Sequence, residues 1–544
     1  GDRMSGFVLM DTMEADTPRH TELGISVYNT SVLTTGSLSD SRWLFSARRG
    51  NLDLVIDPEY GQPRYFDVFG QYAVDLSDRT TFSVNALYAD DGVTVVLEAD
   101  PAEREQMDSD TRNVQLWLEL ANDWSEELST STVVSLVEFN NLREGFLDDP
   151  EKMIAAVRDE RDVRQLGIRQ DWTWRAAERH VVQWGVQVQF AEASYDYASS
   201  AQYFGLPELY PQLPDRLDRG TLASRDGGSY GAYFADRWKF ADGTILEWGL
   251  RWDDQTYTGL ASDSQLSPRL SVLHRIGDRT DLRLSWGRYH QSQGVHELQV
   301  EDDIADYWPA QRADHWIAGL QHRYRNGTSL RVEVFRKDLR EVRPRFENLY
   351  DPLGLIPELQ PDRVRLDPSS ARAVGAEISV SRSEGPWHWW ASYTVSRSTD
   401  RIEGRDEYRS WDQRHSVQGG IGWSAEHWDV SFAGNFHSGW PTTDLSLVES
   451  GVDPDGEPAY VVVPGPRNAL RYDGFASVDF RVSRRFDVKR GTLSVFFEVS
   501  NLLDRKNACC RDWDITDGPG GTSELELSLD YWLPRLPAVG ILWE

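Results

Sequence analysis

The sequence predicts an all-β fold, a transmembrane antiparallel β-barrel of about 22 strands with short periplasmic turns and long extracellular loops. Three observations point there. Polar and apolar residues alternate with a period of two in many short runs. Short polar turns alternate along the chain with longer connections. Aromatic residues are abundant, with 22 Trp, 21 Tyr and 20 Phe in 544 residues, yet mean hydropathy is only −0.55. A strand with one face in lipid and one in a wet lumen reconciles these facts, because only every second residue must be apolar.

Other classes fit less well. No stretch approaches the roughly 18 apolar residues of a membrane-spanning helix. Lys plus Arg number 57 against 88 Asp plus Glu, a formal charge of −31. That balance disfavours a nucleic-acid partner, which wants clustered cations. The aromatic content argues against disorder, and no repeat of about 20–50 residues suggests a propeller or solenoid. Gly1-Asp2-Arg3-Met4 opens without a basic and apolar leader, so a secretory signal is expected to be removed or to lie outside this chain.

In chain order, Phe82, Val84, Ala86 and Tyr88 alternate with Thr81, Ser83 and Asn85. Val182, Trp184, Val186, Val188 and Phe190 alternate with Gln183, Gly185, Gln187 and Gln189. Leu330, Val332 and Val334 alternate with Ser329, Arg331 and Glu333, and Leu493, Val495 and Phe497 with Ser494 and Glu498. The apolar members should face lipid, as should Val478, and the polar ones, with Asp479, the lumen. Short turns fall near 36–40, 76–79, 122–127, 176–179, 241–243, 277–279, 325–327, 383–386, 424–427 and 487–491. Longer connections are read at 92–112, 143–161, 199–227, 291–311, 341–371, 441–472 and 503–532. With a tight first connection near Asn29-Thr30, this pattern gives 22 strands. Asn326-Gly327-Thr328 spells a glycosylation sequon but reads as a hairpin turn. Tyr88, Trp252, Trp286, Tyr393, Trp423 and Trp428 sit near strand ends, where aromatic girdles meet headgroups.

Several segments together resemble the barrel domain of TonB-dependent receptors of the Gram-negative outer membrane. They are Phe66-Asp67-Val68-Phe69-Gly70-Gln71-Tyr72, Ser267-Pro268-Arg269-Leu270, Trp286-Gly287-Arg288-Tyr289, Ser410-Trp411-Asp412-Gln413-Arg414-His415, and Glu498-Val499-Ser500-Asn501-Leu502-Leu503-Asp504-Arg505, with a terminal Leu533-Pro534-Arg535-Leu536-Pro537. The resemblance implies energised uptake of a scarce nutrient, a metal chelate, a cobalamin or a carbohydrate. It also implies partners: outer-membrane lipid and lipopolysaccharide, and the TonB complex acting through a plug. Residues 1–19 are read as a remnant of the last plug strand with its linker, and 20–544 as the barrel; no plug body or TonB box is found here. A passive porin-like channel and an outer-membrane enzyme or adhesin are the alternatives.

No catalytic constellation, cofactor motif or metal-ligand spacing emerges, and no enzymatic activity is expected. The acidic stretch Glu301, Asp302, Asp303 and Asp306 is either a cation site or, more in keeping with its spacing, a solvated surface. Candidate ligand contacts are Tyr289, Tyr307, Trp308, Arg343, Arg345, Tyr350 and Trp411, because rings stack on flat ligands and guanidinium groups bind carboxylates. The adjacent Cys509 and Cys510 form a disulfide candidate. Small or polar inward positions such as Gln187, Ser285, Gly287, Ser477 and Ser494 lead us to expect a wide, mostly empty, water-filled lumen.

Overall fold

The computed structural model describes residues 4, 12, 19–57, 61–97, 104–259, 264–350, 354–452, 458–517 and 523–544. Twenty-two strands form a closed antiparallel cylinder. The first ten are β1 (Arg19–Ser26), β2 (Asn29–Leu38), β3 (Ser41–Gly50), β4 (Gln62–Ser77), β5 (Thr80–Leu97), β6 (Arg104–Asp123), β7 (Leu128–Asp149), β8 (Met153–Ala177), β9 (His180–Tyr203) and β10 (Arg216–Ala241). Then come β11 (Thr244–Gln255), β12 (Gln265–Ile276), β13 (Thr280–Gln291), β14 (Gln311–Arg323), β15 (Thr328–Arg340), β16 (Ser370–Arg382), β17 (Trp387–Ile402), β18 (His415–Ser424), β19 (Trp428–His437), β20 (Phe475–Asp487), β21 (Thr492–Ser500) and β22 (Leu536–Trp543). Closure is made by β1, which pairs with β2 on one side and with β22 on the other. It leaves no edge to be satisfied in hydrocarbon. A short extra strand, Arg405–Tyr408, pairs only with the upper end of β17.

All ten short turns fall where the sequence places them. Gly327 closes one of them at φ +78°, a conformation that suits glycine, so the sequon is a turn. The first connection is Val27–Tyr28, two residues before its expected place. The long connections at 291–311, 341–371, 441–472 and 503–532 are present. Those read at 92–112, 143–161 and 199–227 are corrected: most of these residues extend the strands. Strand length climbs from 16 residues in β4 to 25 in β8, 24 in β9 and 26 in β10, while none after β10 exceeds 16. A tilted strand crosses a bilayer in about 9–11 residues. One wall of the barrel, β5 to β10, is therefore far taller than a bilayer crossing requires.

Register assigns every side chain to a face. Val332 pairs with Leu320 and Ile378, Ile378 with Tyr393, and Tyr393 with Val417. On the other side Val495 pairs with Ile541, which pairs with Ile25. Followed round the cylinder, these pairs form one continuous apolar band. Loops anchored between β13 and β16 pack against the opposite face of β7 to β10, which they can reach only across the lumen. The apolar band is thus the outer face. It contains Leu330, Val332, Val478 and Val495, whereas Arg331, Glu333, Asp479 and Glu498 line the lumen, as expected. All six girdle aromatics also lie on the outer face.

In the tall wall the pattern inverts partway up. On β9 the outer positions Val182, Trp184, Val186, Val188 and Phe190 give way to Glu192, Ser194, Asp196, Ala198, Ser200 and Gln202. The inner positions change the other way, from Gln183, Gln187 and Gln189 to the buried Ala193, Tyr195, Tyr197, Ala201 and Tyr203. Neighbours change at the same level: Leu166 pairs with Phe190, and Arg164 with Glu192. Such an exchange is what a strand leaving a bilayer for water would show. Above it the outer face is polar, and the inner face buries a second core.

Candidate ligand-binding region

The second core lies over the extracellular end of the barrel. Its floor is the inner face of the tall wall, with Met153, Val157, Val163, Tyr195, Tyr197 and Tyr203 buried. Its cover is formed by the segment 292–310, after β13, and by 341–350 and 354–369, after β15, which contribute Val295, Leu298, Val300, Ile356 and Leu359. Each of these five is 3% exposed or less, so the loops are docked as firmly as a domain core. The expectation of a lumen left mostly empty is corrected at this end, because the loops fold inward and cross it. The reason is the inverted alternation, which supplies an apolar inner face for them to cover.

Tyrosine hydroxyls fix the loop backbones. Tyr195 donates to the Val295 carbonyl at 2.6 Å and accepts from the Leu298 amide at 3.2 Å. Tyr203 donates to the Leu359 carbonyl at 2.9 Å, and Tyr307 to the Val295 carbonyl at 2.7 Å. Each satisfies a polar group that burial would otherwise strand. Wall arginines hold the loop carboxylates. Arg161 bridges Asp159 and Glu301, both at 2.7 Å. Arg143 pairs with Glu358, which is almost fully buried, and Arg219 lies 3.4 Å from Asp303 while donating to the Glu301 carbonyl at 3.0 Å. Arg363, within the second loop, binds Asp302 of the first at 3.1 Å. Burial raises the Glu301 carboxyl above its usual range against the pull of Arg161. Burial, followed by the charge of Glu358, pushes the Tyr197 phenol up.

The first two members of the acidic stretch are not a solvated surface: Glu301 and Asp302 are bound by arginines on the far wall and the second loop, whereas Asp303 is exposed to solvent beside Arg219. No group of three or more potential metal ligands converges among the described residues.

The predicted contacts separate into four places. Tyr307, Trp308 and Arg343 gather round 293–297: Trp308 donates its amide to Gln293 at 2.9 Å, and Arg343 binds Glu297 at 3.1 Å. The Trp308 indole N–H is buried and meets no acceptor among the described residues. Arg345 belongs to an ion network, binding Glu347 and the fully buried Asp400, both at 2.6 Å. Arg409 holds Asp400 at 2.9 Å, and Arg467 and Ser410 hold Glu347 at 2.6 and 2.8 Å. Against its burial, Arg345 and Arg467 bring the Glu347 carboxyl down to about 2. Trp411 is exposed beside this network and meets Trp440 edge-on at 4.9 Å. Tyr350 shares a 2.7 Å hydrogen bond with the Tyr210 hydroxyl. Tyr289 stands lower, on the inner face of β13, under the Arg269 guanidinium at 4.5 Å and beside His315.

Sequence reading missed Arg143, Arg161, Glu347, Glu358 and Asp400. A usable signal existed for some: Asp159/Arg161 and Arg345/Glu347 are opposite charges two apart, hence on one strand face. At the pair of cysteines the hairpin register slips between Ala508 and Cys510. This bulge brings two consecutive side chains together, with sulfurs 2.7 Å apart. The proposed plug remnant, residues 1–19, falls mostly outside the described residues, with Arg19 opening β1.

Known structures share this architecture. The siderophore receptor PirA from Acinetobacter baumannii is 13% identical, with 98% of this chain and 81% of that chain covered at a TM-score of 0.65. The ferripyoverdine receptor of the outer membrane of Pseudomonas aeruginosa, solved bound to ferripyoverdine, is 14% identical over 98% and 72% of the chains at 0.62. The copper transporter OprC is 14% identical over 96% and 79% at 0.65. At these identities the likeness establishes the fold. No curated protein sequence matches the chain. The sequence profile of the family described as "TonB dependent receptor-like, beta-barrel" matches residues 28–502, most of the chain, which therefore belongs to the TonB-dependent receptor family.

Proposed function

We propose that this chain is the barrel part of a receptor in the outer membrane of a Gram-negative bacterium, importing a scarce nutrient with energy delivered through TonB. A metal chelate, a cobalamin or a carbohydrate is the cargo class. The observation that carries this reading is the pair of loops clamped across the extracellular mouth by buried arginine–carboxylate pairs. A passive pore works with its mouth open; a cover held by several ion pairs suits a barrel that opens on demand. Tyr307, Trp308 and Arg343 are the contacts proposed for a ligand at the cover. Cys509 and Cys510 are proposed to be joined in the mature protein, outside the bilayer.

The test uses cells producing the whole receptor. Labelled ferric siderophores, cobalamin and oligosaccharides are offered with and without a protonophore, and in cells lacking TonB. Accumulation of one ligand class that vanishes in both controls supports the proposal. Uptake that persists in both favours a passive channel and contradicts it.

A further inference from the structure

We infer that the lumenal face of β12 to β15 holds an oxyanion site, built by Arg269, Tyr289, His315 and Lys337, for the phosphate or carboxylate group of a small solute inside the barrel. The site belongs to the barrel wall, below the cover, and does not depend on which cargo the receptor carries. The register sets Arg269, Gly287, His315 and Lys337 side by side in one inward row. Gly287 has no side chain, and Tyr289, next but one on the same strand, lays its ring over that gap: a Cβ on Gly287 would fall 2.8 Å from the Tyr289 ring. The ring therefore stands between the two neighbours of Gly287, with the Arg269 guanidinium 4.5 Å from its centroid and the His315 ring at 4.6 Å.

These groups lack the acceptors that such donors ordinarily have. His315 is only 7% exposed, and its Nε2 meets no hydrogen-bond partner among the described residues, a cost that an incoming acceptor would remove. Among the described residues the Lys337 ammonium pairs with no carboxylate, and the Tyr289 hydroxyl has no hydrogen-bond partner. On β12 to β15 the inner positions of this row, and of the rows directly above and below it, carry no carboxylate. The nearest on these strands, Glu333, stands two rows lower and is already held by Arg331 at 2.7 Å. Other lumenal arginines are matched: Arg251 has Asp253 at 2.6 Å, and Arg481 has Glu498 at 2.7 Å. In a chain of net charge −31, an inward row of cations without carboxylates is an exception, and it selects an anion. The guanidinium and the ammonium neutralise the oxyanion, while the phenol and the imidazole Nε2–H donate to its remaining oxygens. Small neighbours, Gly249 beside Arg269 and Ala373 beside Lys337, leave both ends of the row open.

The test titrates the purified full-length chain in detergent with inorganic pyrophosphate and with citrate, followed by isothermal calorimetry. Binding of either supports the site, and the tighter of the two identifies the group as phosphate or carboxylate. Lys337→Gln removes one charged donor and should weaken binding of that probe about tenfold. It breaks no ion pair, which keeps folding intact. Tyr289→Phe keeps the ring between Arg269 and His315, removes only the hydroxyl, and should also weaken binding about tenfold. Lys489→Gln, an equal change of charge on the exposed turn between β20 and β21, should leave binding unchanged. The inference is overturned if neither probe binds at millimolar concentration, if both site variants bind like the unaltered protein, or if Lys489→Gln loses as much as Lys337→Gln. Uptake in cells with and without TonB is a separate measurement: its failure breaks the transport reading and leaves the site standing, while failure of the titration breaks this inference alone.

Discussion

Residues 182–190 and 191–203 are two halves of one continuous strand, β9, with the same backbone geometry and the same period of two. In the lower half the outer residues are apolar and the inner ones are glutamine or small; in the upper half the outer residues are polar or small and the inner ones are mostly tyrosine and alanine. The only thing that changes between them is the solvent on each side. Lipid outside and water inside demand one assignment. Water outside and a docked loop inside demand its mirror. Alternation thus reports that a strand has two different faces, but not which face is which.

Removing the inner clamp should have the largest effect on the upper half. Arg161→Met leaves Glu301 without its cation and Asp159 with only Arg143, 3.7 Å away, at a cost of about 3 kcal/mol. Hydrogen exchange should show segment 292–310 released while the lower parts of β8 and β9 keep their protection. Equal loss of protection in both would mean that the two halves are one cooperative unit. Next in size is a charge on the outer face. Val186→Arg, below the boundary, should lower folding stability in lipid by about 2–4 kcal/mol. Ser194→Arg, above it, should fall within about 0.5 kcal/mol of the unaltered protein. Similar costs in urea titrations of the two variants would place the boundary wrongly.

Acid should separate the two clamps. Glu347 is held below its ordinary range, to about 2. Its contribution is therefore complete above the ordinary carboxylate pKa and is lost as pH falls through about 2. Glu301 is shifted upward by burial, so protonation relieves it, and its contribution grows as pH falls. Exchange of segment 345–348 should stay slow at pH 4 and quicken near pH 2; quickening already at pH 4 would contradict the network round Glu347. The smallest effect is expected from the double change Cys509→Ser and Cys510→Ser. A bond between neighbours closes almost no loop, so stability should move by less than about 0.5 kcal/mol. Thiol labelling of intact cells should appear only after reduction, and labelling without reductant would show the sulfurs unjoined.

Much of this fold was legible because a barrel repeats one local rule. Asn326-Gly327 and Ala241-Asp242-Gly243 announce their turns whatever surrounds them, and Leu330, Val332 and Val334 name the lipid face by themselves. The height of the wall was harder to read. Segment 143–161 looks like a polar loop partly because Arg158 and Glu160 sit on the outer face, where lower in the same strand the apolar residues sit, while Asp159 and Arg161 face inward to the clamp. The docked loops were illegible for a different reason. Arg143 and Glu358 are 215 residues apart, and nothing local to either says that one will neutralise the other across the lumen. Trp308 and Arg343 could be named as candidates from residue type, whereas their meeting through Gln293 and Glu297 needed the fold.

The exchange of faces on β9 is tested most directly by a nitroxide scan. Single cysteines are placed at positions 182–203 in a background with Cys509 and Cys510 replaced by serine, and the protein is reconstituted in a bilayer. Relaxation by oxygen reports lipid, and relaxation by a water-soluble nickel complex reports solvent. Even positions from 182 to 190 should respond to oxygen, and even positions from 192 to 202 to nickel. Odd positions from 193 to 203 should be shielded from both. If even positions above 191 still respond to oxygen, or the odd ones there respond to nickel, then the wall does not leave the membrane where its faces exchange, and the loops do not cover it.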